Sequence, residues 1–455
     1  MSAVTSSYDS ALAQLMNYGS ASTMSHADAA FLEEYFDRLW PICRSIMGPG
    51  FRHSLDIIGE QVELERLRFK SGQAILDWIV PNEWSIRDAY IVDPAGNKRA
   101  EFTKSNLHVM NYSAPFRGRL SLSELKSHLY THPDLRQAIP YLTTYYKERW
   151  GFCISQDEFD SLPAGEYEAV VDTELKPGEL VVGEAFLPGT STREVMFSTY
   201  LCHPSLANNE LSGPLVAMLL YRRLEAKRDR RLGVRFVFAA ETIGSIAYLS
   251  VRGGELKARL DAGFQITCVG DGGPFTYKRC REPGQLTDRA AELVLRERGA
   301  AHTFREYDPG DGSDERQWSS PGFNLPVGSL MRTMYGEYPE YHSSLDDKSL
   351  MRFDAMVELV DTYEQIYDAI NVNRTYLNLK PHGEPNLGRR GLYPTLGVTG
   401  QRELEHKAIL WVLNLSDGKH DLLEIARLGR LPLSVVAEAA HKLEIAALLC
   451  PQADA

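Results

Sequence analysis

The 455-residue chain has no CxxC pair; its six cysteines, Cys43, Cys153, Cys202, Cys268, Cys280 and Cys450, are scattered. That spacing offers no zinc-finger or redox motif, and in a chain this long it reads as reduced, mostly buried thiols in a cytoplasmic protein. No apolar run approaches the ~18 residues needed to span a bilayer, so no membrane association is expected. Residues 1–25 are rich in Ser and Ala and lack a basic start followed by an apolar stretch, so no secretory signal is expected. The three sequons, at Asn111, Asn373 and Asn414, then read as chance. Cationic excess is also missing: 49 Lys and Arg stand against 61 Asp and Glu, a net charge of -12, which argues against non-specific nucleic-acid binding. There is no HExxH, no GxSxG elbow, no Walker A sequence and no GxGxxG opening a helix. Internal repeats and low-complexity tracts are absent as well.

What is there is an ordinary globular composition, 44% apolar and 24% charged, in a chain too long for one ordinary core. Leu32, Tyr35, Phe36, Leu39, Trp40 and Cys43 recur at helical spacing, predicting a helix over about 28–47 that Gly48-Pro49-Gly50 stops. From about Glu60 to Leu187, short alternating runs are punctuated by turn signals such as Pro94-Ala-Gly-Asn97, a β-rich texture. From Arg193 to about Asn371 strands and helices alternate, which implies a largely parallel sheet covered on both faces. Residues 378–399 are rich in Pro and Gly and read as a linker. Three short helices then follow, over 406–413, 422–428 and 433–443, a unit resembling a winged helix. The expected organisation is an α/β domain over 1–62 and 165–377, an inserted β-rich subdomain over 63–164, and a linker plus winged-helix-like domain over 378–455.

In open α/β sheets, ligands bind beyond the carboxyl ends of the strands. Strand 195–201 leads into Cys202-His203-Pro204, strand 234–238 into Glu241-Thr242, strand 264–269 into Asp271, and strand 325–330 into the loop carrying Tyr341-His342-Ser343. Each residue alone has a plain structural reading: a hydrogen-bonded His, a helix N-terminal Glu, a turn Asp. Together they place imidazole and carboxylate groups at four strand ends, a donor set that suits zinc. Such a metal lowers the pKa of a bound water, and a separate carboxylate must take its proton.

The segments Cys202-His-Pro-Ser-Leu-Ala-Asn-Asn-Glu-Leu-Ser-Gly213, Glu241-Thr-Ile-Gly-Ser245, Cys268-Val-Gly-Asp-Gly-Gly273, Gly312-Ser-Asp-Glu-Arg-Gln317 and Tyr341-His-Ser-Ser-Leu345 resemble the zinc-dependent aminopeptidase superfamily. The similarity is greatest to a bacterial aminopeptidase-like branch with an inserted domain and a C-terminal winged helix. The resemblance implies a zinc-exopeptidase-like fold, with a mostly parallel mixed sheet flanked by helices. It implies that His203, Asp271 and His342 are zinc ligands and that Glu241 is the general base. Two positions depart from the superfamily pattern. Asn209 stands where an Asp usually bridges two zincs, and Thr242 where a second Glu usually follows the base. Glu210, next to Asn209, could restore one ligand, so one tight zinc is expected and a second site is doubtful. Asp314 and Arg316 are candidate substrate-binding residues, and Tyr277, Tyr145 and Tyr146 candidate pocket walls for which core packing is the plainer role.

The expected activity is hydrolysis of an amide bond, foremost as an aminopeptidase on a small peptide or aminoacyl amide. N-acyl deacylation of a sugar or amino acid is an alternative. A third reading is a decayed scaffold or regulator that binds a partner or DNA through its tail. Helix 433–443 carries Glu438 and a single full cation, Lys442. DNA binding is therefore the weaker role for the tail, and packing, a protein partner or self-association the stronger.

Overall fold

The computed structural model describes residues 26–227, 230–392 and 401–452. Two helices open the described chain, α1 (His26–Leu39) and α2 (Pro49–Ile58). The expected helix over 28–47 ends at Leu39, because Pro41 cannot supply a helical N–H. Gly48-Pro49-Gly50 does not merely stop a helix: it starts α2, with Pro49 in the first turn, where its missing N–H costs nothing. Gly48 sits at φ 135°, and a Cβ there would lie 2.3 Å from the Trp84 carbonyl oxygen.

The main sheet has eight strands: β1 (Glu65–Lys70), β2 (Glu179–Leu187), β3 (Glu194–Tyr200), β4 (Gly233–Ala239), β5 (Leu260–Gln265), β6 (Phe275–Lys278), β7 (His302–Arg305) and β8 (Val327–Met331). Their order is β1-β2-β4-β3-β5-β8-β6-β7. The central four, β4-β3-β5-β8, are mutually parallel, and β6 pairs parallel with β7, whereas β1, β2 and the β6–β8 pair are antiparallel. Every residue of β3 and β4 is buried, as a sheet covered on both faces requires. The covering helices are α1, α3 (Ser212–Ala226), α4 (Ile243–Arg259), α5 (Leu286–Arg298) and α6 (Phe353–Val372). The pair β6 and β7 was not anticipated from sequence. Both are four residues long, and β7 is only half-buried, so neither leaves an extended apolar run.

Between β1 and β2 the chain builds a separate antiparallel sheet from Glu83–Val92, Lys98–Arg99, Phe116–Ser121 and Glu166–Lys176, with its own core around Ile91, Phe152, Tyr167 and Val171. Two strands cross the expected insertion borders. Glu65–Lys70 joins the main sheet, and Glu166–Lys176 is a central strand of the inserted one.

The C-terminal unit has helices α7 (Gln401–Leu415), α8 (Leu422–Gly429) and α9 (Leu433–Ile445) and a three-stranded sheet of Asp417–Asp421, Thr375–Asn378 and Leu449–Pro451. Its first strand lies ahead of the Pro- and Gly-rich stretch. Leu422, Val436 and Leu443 of this unit belong to the same continuous apolar core as Leu295 of α5 and Val357 of α6. Among the described residues, no helix is long and apolar enough to cross a membrane.

Candidate active site

The strand ends expected to hold chemistry converge beyond β3 and β4. After β3 the chain turns through Cys202, His203 and Ser205, the last at φ 49°. It then forms one π-helical turn, Ala207–Leu211, before α3, a widened turn of the kind that recurs at functional sites. The Asp346 carboxylate holds this turn, accepting the N–H groups of Asn208 (2.6 Å) and Asn209 (3.0 Å) and the Tyr338 hydroxyl (3.2 Å).

That geometry brings His203 and Glu210 together. The Glu210 carboxylate is buried, and its Oε2 lies 2.7 Å from His203 Nδ1. Neither Glu210 oxygen accepts an aligned hydrogen bond. The Cys202 thiol is 3.3 Å from the same ring nitrogen. Donor atoms of Cys202, His203 and Glu210 all fall within 4.8 Å of one another. Burial works against charging the His203 ring, but Cys202 and Glu210 outweigh it and hold its pKa well above the usual value. Burial lifts the Cys202 thiol to about 11.

On the other side of the ring, His203 Nε2 lies 3.7 Å from Glu241 Oε2. Glu241 keeps 29% of its side chain accessible, whereas Glu210 keeps none, so the Nε2 side faces the cleft. The second Glu241 oxygen accepts the Ser313 hydroxyl at 2.9 Å. Burial raises the Glu241 pKa, against the pull of His203 and Ser313. The next residue, Thr242, has φ 63°, a costly conformation for a β-branched residue. Its N–H is held at 2.7 Å by buried Asp314, whose pKa is raised by burial and by Glu241.

His342, at φ 54°, stacks on Tyr341 with ring centroids 4.0 Å apart. Its ring centroid lies 5.5 Å from that of His203. Burial, with the nearby His203 adding to it, lowers its pKa to about 3, so it is a neutral imidazole at physiological pH. A segment of the insertion, between strands Phe116–Ser121 and Glu166–Lys176, holds this loop. Tyr141 N–H donates to the His342 carbonyl and Ser344 N–H to the Ile139 carbonyl, both at 2.8 Å. Tyr141 also packs against both histidine rings, at 4.8 and 5.3 Å, and its hydroxyl meets that of Tyr145 at 2.8 Å.

The remaining candidates lie differently. Asp271 is not part of the His203 group; its carboxylate accepts Asn208 Nδ2, Gly273 N–H, and the N–H and hydroxyl of Thr333. Asn209 accepts the Tyr200 hydroxyl through Oδ1, leaving its buried Nδ2 without a partner. Arg316 donates to the Ser313 and Pro309 carbonyls, which ties down its own loop. Its charge still acts on Glu241. Tyr277 is fully buried away from the cleft, its hydroxyl on Asp288 at 2.7 Å. Sequence reasoning missed the roles of Ser313, Asp346 and Tyr141. It also missed Arg44, a wholly buried guanidinium that donates to the carbonyls of Leu39 and His203. Arg44 lay inside the expected N-terminal helix, where an Arg reads as solvated, and nothing in its spacing signals otherwise.

Imidazole, carboxylate and thiol donors suit a borderline-soft divalent cation. The buried Glu210 oxygens without hydrogen bonds are what such an ion would satisfy, so the residues present fit zinc.

Comparison with known proteins bears on the family and the fold. Residues 33–373 match the family described as domain of unknown function DUF4910, and residues 374–451 match a winged helix-turn-helix family. A Clostridium acetobutylicum protein described as a candidate polysaccharide biosynthesis protein with an aminopeptidase-like domain is 43% identical over 416 residues, 91% of this chain and 95% of that one. The crystal structure of a candidate peptidase from the same organism superposes with a TM-score of 0.85 at 40% identity, covering 96% of this chain and 98% of that one. The zinc aminopeptidase BSAP of Bacillus subtilis superposes with a TM-score of 0.54 at 12% identity, covering 74% of this chain and 93% of its own. The last likeness speaks for the fold alone: it is the aminopeptidase-like α/β fold.

Proposed function

We propose that this chain, which belongs to the DUF4910 family and ends in a winged helix-turn-helix unit, is a zinc-dependent hydrolase of amide bonds, acting as an aminopeptidase on a small peptide or aminoacyl amide. The observation that carries the proposal is the Glu241 carboxylate at the cleft, one oxygen fixed by Ser313 and the other 3.7 Å from His203 Nε2.

His203, Glu210 and His342 would hold one zinc ion. Bound there, zinc would supply a polarised carbonyl and a water of lowered pKa. Asp271 would join them only by giving up hydrogen bonds from Thr333 and Asn208. Glu241 is the general base in this reading. The Ser313 hydroxyl occupies Oε1, which leaves Oε2 to accept a proton, and the raised pKa brings the carboxyl towards the neutral range where a base works best. Tyr141 and Tyr145 wall the site from the inserted sheet and exclude water from behind the two histidines. The cytoplasmic setting read from the scattered thiols belongs to the same proposal; all six cysteines are free.

A second reading, N-acyl deacylation of a sugar or amino acid, has one observation in its favour. An aminopeptidase needs an anionic pocket for the substrate ammonium group. Here buried Glu315 is neutralised by Lys278 at 3.0 Å, and buried Asp314 gives one oxygen to Thr242 N–H while burial and Glu241 push its pKa up to about 8. The related Clostridium protein's description as a polysaccharide biosynthesis protein points the same way.

Metal content by elemental mass spectrometry, beside a His203→Ala control, tests the shared premise. About one zinc per chain, lost in the control, supports it and justifies a screen of aminoacyl amides against N-acyl sugars. No zinc, and none taken up on addition, would leave a decayed site.

A further inference from the structure

A winged helix-turn-helix unit suggests a DNA reader, whose third helix would enter the major groove with its N-terminal residues against base edges. Here that helix is α9, and one face of it packs into the protein. Six of its thirteen residues are buried, six are half-buried and Ile445 is exposed. Its N-terminus abuts α5 of the catalytic domain, where the Glu297 carboxylate accepts the Leu433 N–H at 2.9 Å. Its one Lys, Lys442, is paired with Glu438 at 2.8 Å and Glu405 at 3.4 Å.

The helix before it is pinned to the same place. Asp421 caps the start of α8 through the Glu424 N–H. The same carboxylate takes both contacts of Arg289 on α5, at 2.8 and 2.7 Å, and the Asn373 side chain at 2.9 Å. The strand after α9, Leu449–Pro451, pairs with Thr375–Asn378, which precedes all three helices, so no hairpin wing is built behind the reading helix among the described residues. Arg427 and Arg430 are the exposed cations near the α8–α9 turn, and Glu424 lies 3.7 Å from the first. Phosphate contacts in number are what sustain non-specific DNA binding, and two arginines supply few.

We infer that the C-terminal unit is an intramolecular brace whose partner is α5 of its own chain, not a DNA-binding module. The brace bears on the cleft wall. Next to Arg289 on α5, Asp288 holds the Tyr277 hydroxyl and the Cys280 N–H at the end of β6. Lys278, on that strand, donates to Glu315 at 3.0 Å, and Glu315 in turn accepts the Ser313 N–H. Ser313 is the residue that fixes Glu241. Three sets of polar contacts, joined through the neighbouring residues Asp288 and Arg289 on α5 and Tyr277 and Lys278 on β6, therefore lie between α8 and the loop at the cleft.

Two measurements on the full-length protein test the inference, and neither needs a substrate. The first is fluorescence anisotropy of a labelled random-sequence DNA duplex at low and physiological salt. The second is hydrogen exchange of Arg289→Met and of the Arg289→Met, Glu297→Gln double variant against the unaltered chain. The brace predicts no saturable duplex binding at either salt. It predicts faster exchange in both variants, spreading from 421–445 to 275–280 and 308–316, with a lowered Tm. Salt-dependent duplex binding that Arg427→Glu, Arg430→Glu substitution abolishes would overturn it. So would faster exchange confined to the tail, or unchanged exchange in both variants.

Discussion

Replacing Glu210 by Gln separates a metal ligand from a structural carboxylate, because the amide keeps the side chain's volume and removes its charge. The Glu210 oxygens are buried and accept no aligned hydrogen bond, and the nearest polar atom is His203 Nδ1 at 2.7 Å. In the metal-free protein the buried His203 ring, whose pKa Cys202 and Glu210 hold up against burial, is the group that offsets the desolvation cost of this carboxylate. The zinc-free variant should therefore be less stable than the zinc-free parent, because it loses that pairing. The zinc-loaded forms should differ by more. A ligand present at a hundred times its dissociation constant stabilises the native state by about 2.7 kcal/mol. If losing Glu210 weakens binding a hundredfold, the same free zinc leaves only RT ln 2, about 0.4 kcal/mol. Thermal unfolding of both proteins at one chelator-buffered zinc concentration, and again in excess chelator, measures the two differences directly. A variant that keeps the parent's full zinc-dependent shift would show that Glu210 is not a ligand. A variant that is destabilised equally with and without zinc would show a purely structural role.

Glu241→Gln should retain zinc and lose turnover on any amide the parent cleaves; loss of the metal, measured by elemental analysis, would make Glu241 a ligand. His342→Ala should lower zinc affinity by at least about tenfold in chelator competition, since it removes a neutral imidazole donor. Ser313→Ala should lower kcat by about tenfold with KM and zinc content unchanged, because it frees the Glu241 oxygen now held at 2.9 Å; recovery in Ser313→Thr would confirm the hydroxyl. Cys202 and the buried Glu210 beside it raise the His203 pKa against burial in the metal-free protein, so protonation of the ring competes with zinc binding. Zinc affinity should then rise with pH, with protons released on binding. Calorimetry in buffers of different ionisation enthalpy counts the protons, and an uptake without proton release would contradict the geometry.

The α/β architecture was legible because buried parallel strands leave largely apolar runs rich in β-formers, such as Val195–Leu201 and Val234–Phe238, and because the helices between them keep a helical period. Helix α5 begins at Leu286 and ends at Arg298, as its sequence pattern predicts, with Gly299 in the left-handed conformation closing it. The N-terminal helices were misread because the apolar period persists past Leu39 through Trp40 and Cys43, while the local effect of Pro41 outweighs it. The strand-end histidines and Glu241 could be found from topology alone. Ser313 and Tyr141 could not, because their roles depend on which loops meet in space: Ser313 lies 72 positions from Glu241, and Tyr141 comes from the segment between the third and last strands of the inserted sheet.

The two departures from the superfamily pattern make sense together once their backbones are considered. At Asn209 the main chain is fixed by Asp346, and the side-chain oxygen serves the Tyr200 hydroxyl. At Thr242 the left-handed backbone is fixed by Asp314. Both positions thus work for the scaffold through groups that do not depend on a carboxylate side chain. Neither an amide already holding a tyrosine hydroxyl nor a threonine hydroxyl replaces a bridging or terminal carboxylate at a second ion. Glu210, one residue beyond Asn209 on a π-helical turn, instead delivers its carboxylate to the ring nitrogen side of His203. On the proposed reading, with Asn209 and Thr242 serving the scaffold and Glu210 beside His203, one tightly held ion is expected rather than a pair.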